Sequence, residues 1–130
     1  MIFVDSSVWI DYLGDHDTVQ TGLLDSILGR ERVVIGDVVL TEVLQGCIYE
    51  KEFRETLSLF RRLDIVTVGG YEVAVAAAKN YRALRGLGIT VRKTIDTLIA
   101  TRCILSKYEL LHNDRDFVPF EKHLGLRCLT

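Results

Sequence analysis

Four carboxylates stand where their neighbours are apolar, and a fifth lies two residues from one of them. Asp5 ends the run Ile2-Phe3-Val4 and precedes Ser6 and Ser7, both candidates to cap a helix. Glu42 is embedded in Val38-Val39-Leu40-Thr41-Glu42-Val43-Leu44. Asp96 has Ile95 beside it and Ile99 and Ala100 one turn on. Asp114 follows a second apolar run as Asp5 follows the first, and Asp116 comes two residues later. Burying an unpaired carboxylate is costly or forces it to protonate. Taken one at a time, each acid has an ordinary explanation. Asp5 can be a polar strand terminus, Asp96 can pair with Arg92, Asp114 with Arg115, and Glu42 with a helix cap or a distant arginine. Taken together, two strand ends and two apolar helices all place acids inward, and converging acids need a compensating cation. Oxygen donors without His or Cys select Mg²⁺ or Mn²⁺. Such ions clamp the attacking and leaving oxygens of a phosphodiester.

The elements that must position these acids alternate between strand and helix. Ile2–Val4 suits a strand buried on both faces. A helix follows from Val8 to Leu13, and a second, capped by Asp17 or Thr18, runs to Gly29. Val33–Ile35 is the next strand. Asp37 then caps the helix that carries Glu42 and stops near Gly46. Glu50–Leu63 is amphipathic, with Phe53, Leu57, Phe60 and Arg61 on its inner side. Ile65–Val68 is the third strand, and Val73–Leu84 opens a helix that ends at Gly86-Leu87-Gly88. Thr90 starts the helix carrying Asp96, which reaches Ser106. Tyr108–His112 is the fourth strand, Asn113–Phe117 a loop, Pro119 the first turn of a short helix, and Leu126–Leu129 an edge strand. This alternation implies an α/β fold with a parallel sheet covered on both faces. It is read as one domain over residues 1–130.

Composition bounds the rest. The 130 residues are 48% hydrophobic, enough for a filled core and unlike a disordered chain. No apolar run approaches the roughly 18 residues of a membrane span, and the start has no basic leader, so a cytoplasmic protein is expected. Cys47, Cys103 and Cys128, like His16, His112 and His123, lack the spacing of a zinc site and fit free thiols and ordinary histidines. There is no phosphate-binding glycine loop and no Ser-His-Asp order at a strand-to-helix elbow. The formal charge of −2 argues weakly against a nucleic-acid partner, because two bound divalent cations would reverse its sign. Arg82, Arg85, Arg92, Lys93 and Arg115 lie in the same segments as Asp96 and Asp114 and can contact backbone phosphates.

On these residues the chain resembles a PIN-domain ribonuclease, specifically a VapC-type toxin of a type II toxin–antitoxin system. The resemblance is carried by four blocks that span almost the whole chain: Val4-Asp5-Ser6-Ser7-Val8-Trp9-Ile10-Asp11, Thr41-Glu42-Val43-Leu44-Gln45-Gly46, Gly88 through Ala100, and Leu110 through Phe117. It implies a five-stranded sheet of order 3-2-1-4-5, with Asp5 and Asp114 at the rim of the crevice where the order reverses. It implies that Asp5, Glu42, Asp96 and Asp114 are the catalytic acids and bind Mg²⁺ or Mn²⁺, with Asp116 a fifth ligand. Ser6, Arg92 and Asn113 are the expected substrate contacts. His112 stands where the family often has threonine, so a hydroxyl role there passes to no residue, and Asn113 is the nearest polar substitute. The implied activity is endonucleolytic cleavage of RNA by a metal-activated water, leaving 5′-phosphate ends. The implied partners are a second copy of the chain and a small antitoxin whose tail blocks the acidic pocket.

Two other readings remain. A phosphate-accepting receiver domain uses a similar sheet but expects clustered acids at the first strand and a late lysine, neither of which this chain supplies. A non-catalytic PIN-type module that binds RNA or protein would share the scaffold, but the full acid set argues against a degenerate site.

Overall fold

The structure, a computed structural model, describes residues 1–129. Its first strand, β1 (Ile2–Val4), is the centre of a five-stranded sheet in which every pairing is parallel and the order is β3-β2-β1-β4-β5. The neighbours of β1 are β2 (Val33–Gly36) and β4 (Glu109–Leu111), with Phe3 in register with Val34 on one side and Leu110 on the other. All three β1 residues are buried, as alternating side chains require when both faces of a sheet are covered. The edges are β3 (Asp64–Val66) and β5 (Arg127–Cys128).

Among the described residues, seven α-helices surround the sheet: α1 (Ser6–Leu13), α2 (Val19–Ile27), α3 (Asp37–Gln45), α4 (Glu50–Phe60), α5 (Tyr71–Gly86), α6 (Thr94–Ser106) and α7 (Val118–Leu124). One packed group joins α1 to α2 and α3, and another pairs α5 with α6. Trp9 of α1 is fully buried and meets Phe60 of α4 edge to face, with ring centroids 4.9 Å apart. The α2 cap is Thr18, in a reciprocal box with Thr21.

Several boundaries differ from the sequence expectation, and four of them bear on how the elements pack. The third strand stops at Val66, not Val68, because the Val68 N–H leaves the ladder and donates to Asp37 Oδ1 at 3.0 Å. Asp37 therefore does not act as the cap of α3. That position is held by Gly36, and the Asp37 carboxylate joins the start of α3 to the exit of β3. The helix carrying Asp96 begins at Thr94, four residues later than Thr90, because Val91 turns into the core and holds the preceding segment as a loop. The helix α4 ends at Phe60, and its inward residues are Thr56 and Phe60, with Arg61 exposed.

Gly36 is required by space. A Cβ at this position would lie 2.6 Å from both the Phe3 ring and Val68 Cγ2. Overpacking of this kind costs about 1–3 kcal/mol. Gly36→Ala is expected to lower the unfolding free energy by that amount, as measured by the urea midpoint at unchanged m-value.

Candidate metal centre

The sheet order reverses between β1 and β4, so the chain leaves these neighbouring strands in opposite directions and opens a crevice at their carboxyl ends. Asp5 is the first residue beyond β1. Its side chain caps α1, accepting the Ser7 backbone N–H at 3.1 Å and the Ser7 hydroxyl at 2.7 Å. Ser6 and Ser7, the expected caps, lie inside the helix instead. The Ser7 hydroxyl has a second task, because its oxygen accepts the Asn113 N–H at 3.1 Å. One hydroxyl thus ties the end of β1 to the end of β4.

Beyond β4, the Asp114 N–H donates to His112 Nδ1 at 3.1 Å, and Asp114 Oδ1 accepts the Asp116 N–H at 2.9 Å. These contacts open a 3₁₀ turn at Arg115–Phe117. Asp96, in the first turn of α6, is buried at 3% exposure. It, Asp114 and Asp116 can each present one carboxylate oxygen within 4.8 Å of the other two, which suits one shared cation. Asp5 is also buried, and its charge acts on both Asp96 and Glu42. The half-buried Glu42 reaches the crevice from α3, with Oε1 buried and without a hydrogen-bond partner. All five acids named from the sequence therefore face one another's charge or share one cluster.

The compensating cations are not the ones that simple pairing suggested. Lys93 Nζ lies 3.5 Å from Asp96 Oδ2 and 3.4 Å from Asp114 Oδ2. Arg92 pairs with Asp116 at 3.2 Å, leaving neither Arg92 for Asp96 nor Arg115 as the partner of Asp114. Lys93 is the residue that sequence reasoning undervalued. Its position three residues before Asp96, at a helix start, was the available signal. Ser7 was likewise noted only as a cap. Of the expected substrate contacts, Ser6 is buried beside Glu42, Arg92 is exposed at the rim, and Asn113 is exposed with its backbone held by Ser7. Arg82 and Arg85 are exposed on α5, where Arg85 lies over the Tyr81 ring.

Burial dominates the electrostatics. It pushes the Asp96 carboxyl up to about 6, against the opposing pull of Lys93, with Asp5 and Asp114 raising it further. Glu42 is raised by burial first and by the Asp5 charge second, while the neighbouring Ser6 hydroxyl and Lys93 pull it down. The Lys93 ammonium is raised, chiefly by Asp96. Burial lowers the His112 imidazole below its ordinary value.

An acid whose folded pKa is raised binds more protons in the folded state, so its contribution is most favourable at low pH. For Asp96 that advantage is complete below about pH 4 and is lost as pH rises through about 6. Asp96→Asn, in the presence of a chelator, is expected to gain on the order of 1–2 kcal/mol relative to wild type above pH 6.5 and nothing below pH 4. Denaturant unfolding across that range measures it.

The PIN domain profile matches residues 2–122 of the chain. Ribonuclease VapC11 of Mycobacterium tuberculosis is 29% identical over 132 aligned positions, which take in the whole chain and 98% of that protein. Among solved structures, VapBC2 from Rickettsia felis, bound to a DNA fragment from its promoter, superposes with a TM-score of 0.76 at 19% identity, covering 99% of this chain and 98% of the other. VapBC-1 from nontypeable Haemophilus influenzae gives 0.75 at 18% identity over 99% and 97%. At such identities the structures speak for the fold, which agrees with the strand order observed here. With the profile covering nearly the full length, the chain belongs to the PIN domain family.

Proposed function

We propose that this PIN-domain protein is a divalent-metal-dependent endoribonuclease and acts as the toxin of a type II toxin–antitoxin pair. The observation that carries the reading is the gathering of Asp5, Glu42, Asp96, Asp114 and Asp116 at one crevice with, among the described residues, only Lys93 and Arg92 paired against them. The donor set fits a hard cation, since it is made of carboxylate oxygens. Glu42 Oε1 is buried without a hydrogen bond, as an oxygen reserved for a ligand would be, and Asp96 Oδ2 is buried with only the Lys93 ammonium at 3.5 Å recorded against it among the described residues.

Asp5, Asp96 and Asp114 would hold Mg²⁺ or Mn²⁺, with Asp116 joining them and Glu42 either binding it or orienting the attacking water. Bound there, the cation would serve as a Lewis acid toward the phosphodiester and acidify that water. Burial raises the Glu42 carboxyl and its Oε1 is free of hydrogen bonds, which suits it to accept a proton from that water. Ser6, buried beside Glu42, would help hold it toward the crevice. Arg92 and Lys93, at the rim, attract the RNA backbone without reading its sequence. The products would carry 5′-phosphate and 3′-hydroxyl ends.

The toxin part of the reading is supported by the relatives' names and by an apolar groove next to the site. The groove holds about 440 Å³ and runs between α1, α3 and α4, with Ile10, Leu13, Val43 and Leu59 as its apolar wall and Glu52 and Glu55 as its acidic one, as far as Glu42. Ile10 is 52% exposed and nearby Ile48 is 85% exposed, more apolar surface than an isolated chain gains from showing. An antitoxin segment seated there would end at the acids. Among the described residues no helix is long and apolar enough to cross a membrane. A cytoplasmic homodimer completes the proposal.

Asp5→Asn and Asp96→Asn are expected to remain folded, to lose Mg²⁺-dependent RNA cleavage, and to stop arresting growth when expressed without a partner. Full cleavage by either variant, or by wild type in chelator, would refute the mechanism. Saturating Mn²⁺ is expected to raise the melting temperature of wild type, because a ligand that binds only the folded state must stabilise it. No shift, with RNA cleavage also absent, would favour the non-catalytic PIN module.

A further inference from the structure

At the carboxyl ends of β1 and β4, side-chain acceptors each serve the backbone N–H two residues ahead. Asp5 accepts from Ser7, and Asp114 accepts from Asp116. His112 does the same at the end of β4, where its Nδ1 accepts the Asp114 N–H at 3.1 Å. An imidazole nitrogen that accepts a hydrogen bond is unprotonated, so this contact assigns the ring proton of neutral His112 to Nε2. The ring is half-buried and packs against the fully buried Phe117, with centroids 5.0 Å apart and planes tilted by 51°. Phe117 closes the same 3₁₀ turn, so the ring is held from the far end of the loop whose first N–H it binds.

We propose that His112 is a positioning residue that aims the Asp114 and Asp116 carboxylates by accepting the Asp114 N–H. Without that acceptor, the peptide preceding Asp114 is free to rotate. The Asp114 side chain would then move away from Asp96, and Asp116, which hangs from Asp114 Oδ1, would move with it. The ring contact with Phe117 supplies packing, and Nδ1 supplies direction. Asparagine tests this distinction, because its Oδ1 sits the same number of bonds from Cβ as the imidazole Nδ1. Phenylalanine keeps the ring and its packing but has no acceptor. Glutamine carries its amide one bond further out.

The proposal rests on the metal-site reading, and the experiment separates the two. Mn²⁺ affinity is measured by calorimetry, and hydrogen exchange of the Asp114 amide by NMR in metal-free protein, for wild type, His112→Phe, His112→Gln and His112→Asn. His112→Phe and His112→Gln are expected to weaken Mn²⁺ binding by about tenfold or more, as loss of a ligand-orienting contact does, and to deprotect the Asp114 amide. His112→Asn is expected to restore both. If His112→Phe matches wild type in either measurement, or His112→Asn is as impaired as His112→Phe, the role of Nδ1 is wrong. If wild type itself fails to bind Mn²⁺, the metal reading falls, while the Asp114 amide in the metal-free proteins still decides whether His112 fixes the loop. His112→Gln keeps the comparison open should His112→Phe fail to fold.

Discussion

The mutual repulsion of carboxylates held at the carboxyl ends of β1 and β4 is the constraint on which the rest of this structure depends. Like charges 4.8 Å apart repel by about 3 kcal/mol at an effective dielectric constant near 20. The fold meets that cost in three ways. Lys93 stands between Asp96 and Asp114, and Arg92 takes Asp116. Backbone and hydroxyl donors reach Asp5 and Asp114. Finally, Asp96 is raised toward neutrality by burial. What remains is five carboxylates against two cations, with an unpaired buried oxygen on Glu42, the excess of negative charge that a divalent cation requires.

The precision of the crevice comes from short-range hydrogen bonds more than from the sheet. Parallel pairing sets Val4 beside Leu111, which brings the two strand ends within reach. The Ser7 hydroxyl and His112 Nδ1 then fix the direction in which each acid leaves its strand. The delayed start of α6 serves the same end. By running Ile89–Lys93 as a loop anchored on Val91, the chain delivers Arg92 and Lys93 to the acids from outside the helix. Had the helix begun at Thr90, both cations would have sat on its surface a turn below Asp96.

The apolar groove and the acidic crevice meet at Glu42, which belongs to both. A partner that fills the groove is thereby placed to cover the acids, so binding and silencing would be one event. On the proposed reading, that arrangement would give an enzyme whose chemistry touches only phosphate a means of control that does not depend on its substrate.

Much of this protein was legible in its sequence because burial is written in residue type. The apolar run of β1 reads as a strand buried on both faces and those of β2 and β4 read as strands, and carboxylates at strand ends or inside apolar helices are costly unless they meet a cation. That reasoning identified Asp5, Glu42, Asp96, Asp114 and Asp116 and the chemistry they suit. Resemblance, rather than spacing, supplied the strand order that makes β1 and β4 neighbours. The tertiary structure alone decided which cation faces which acid, that Ser7 joins two strands, that His112 turns a ring nitrogen toward Asp114, and that Asp37 leaves its helix to bind Val68. The physical reason is range. Apolar patterning is a property of each segment, whereas hydrogen bonds and ion pairs between segments depend on distances of an ångström that no local pattern encodes.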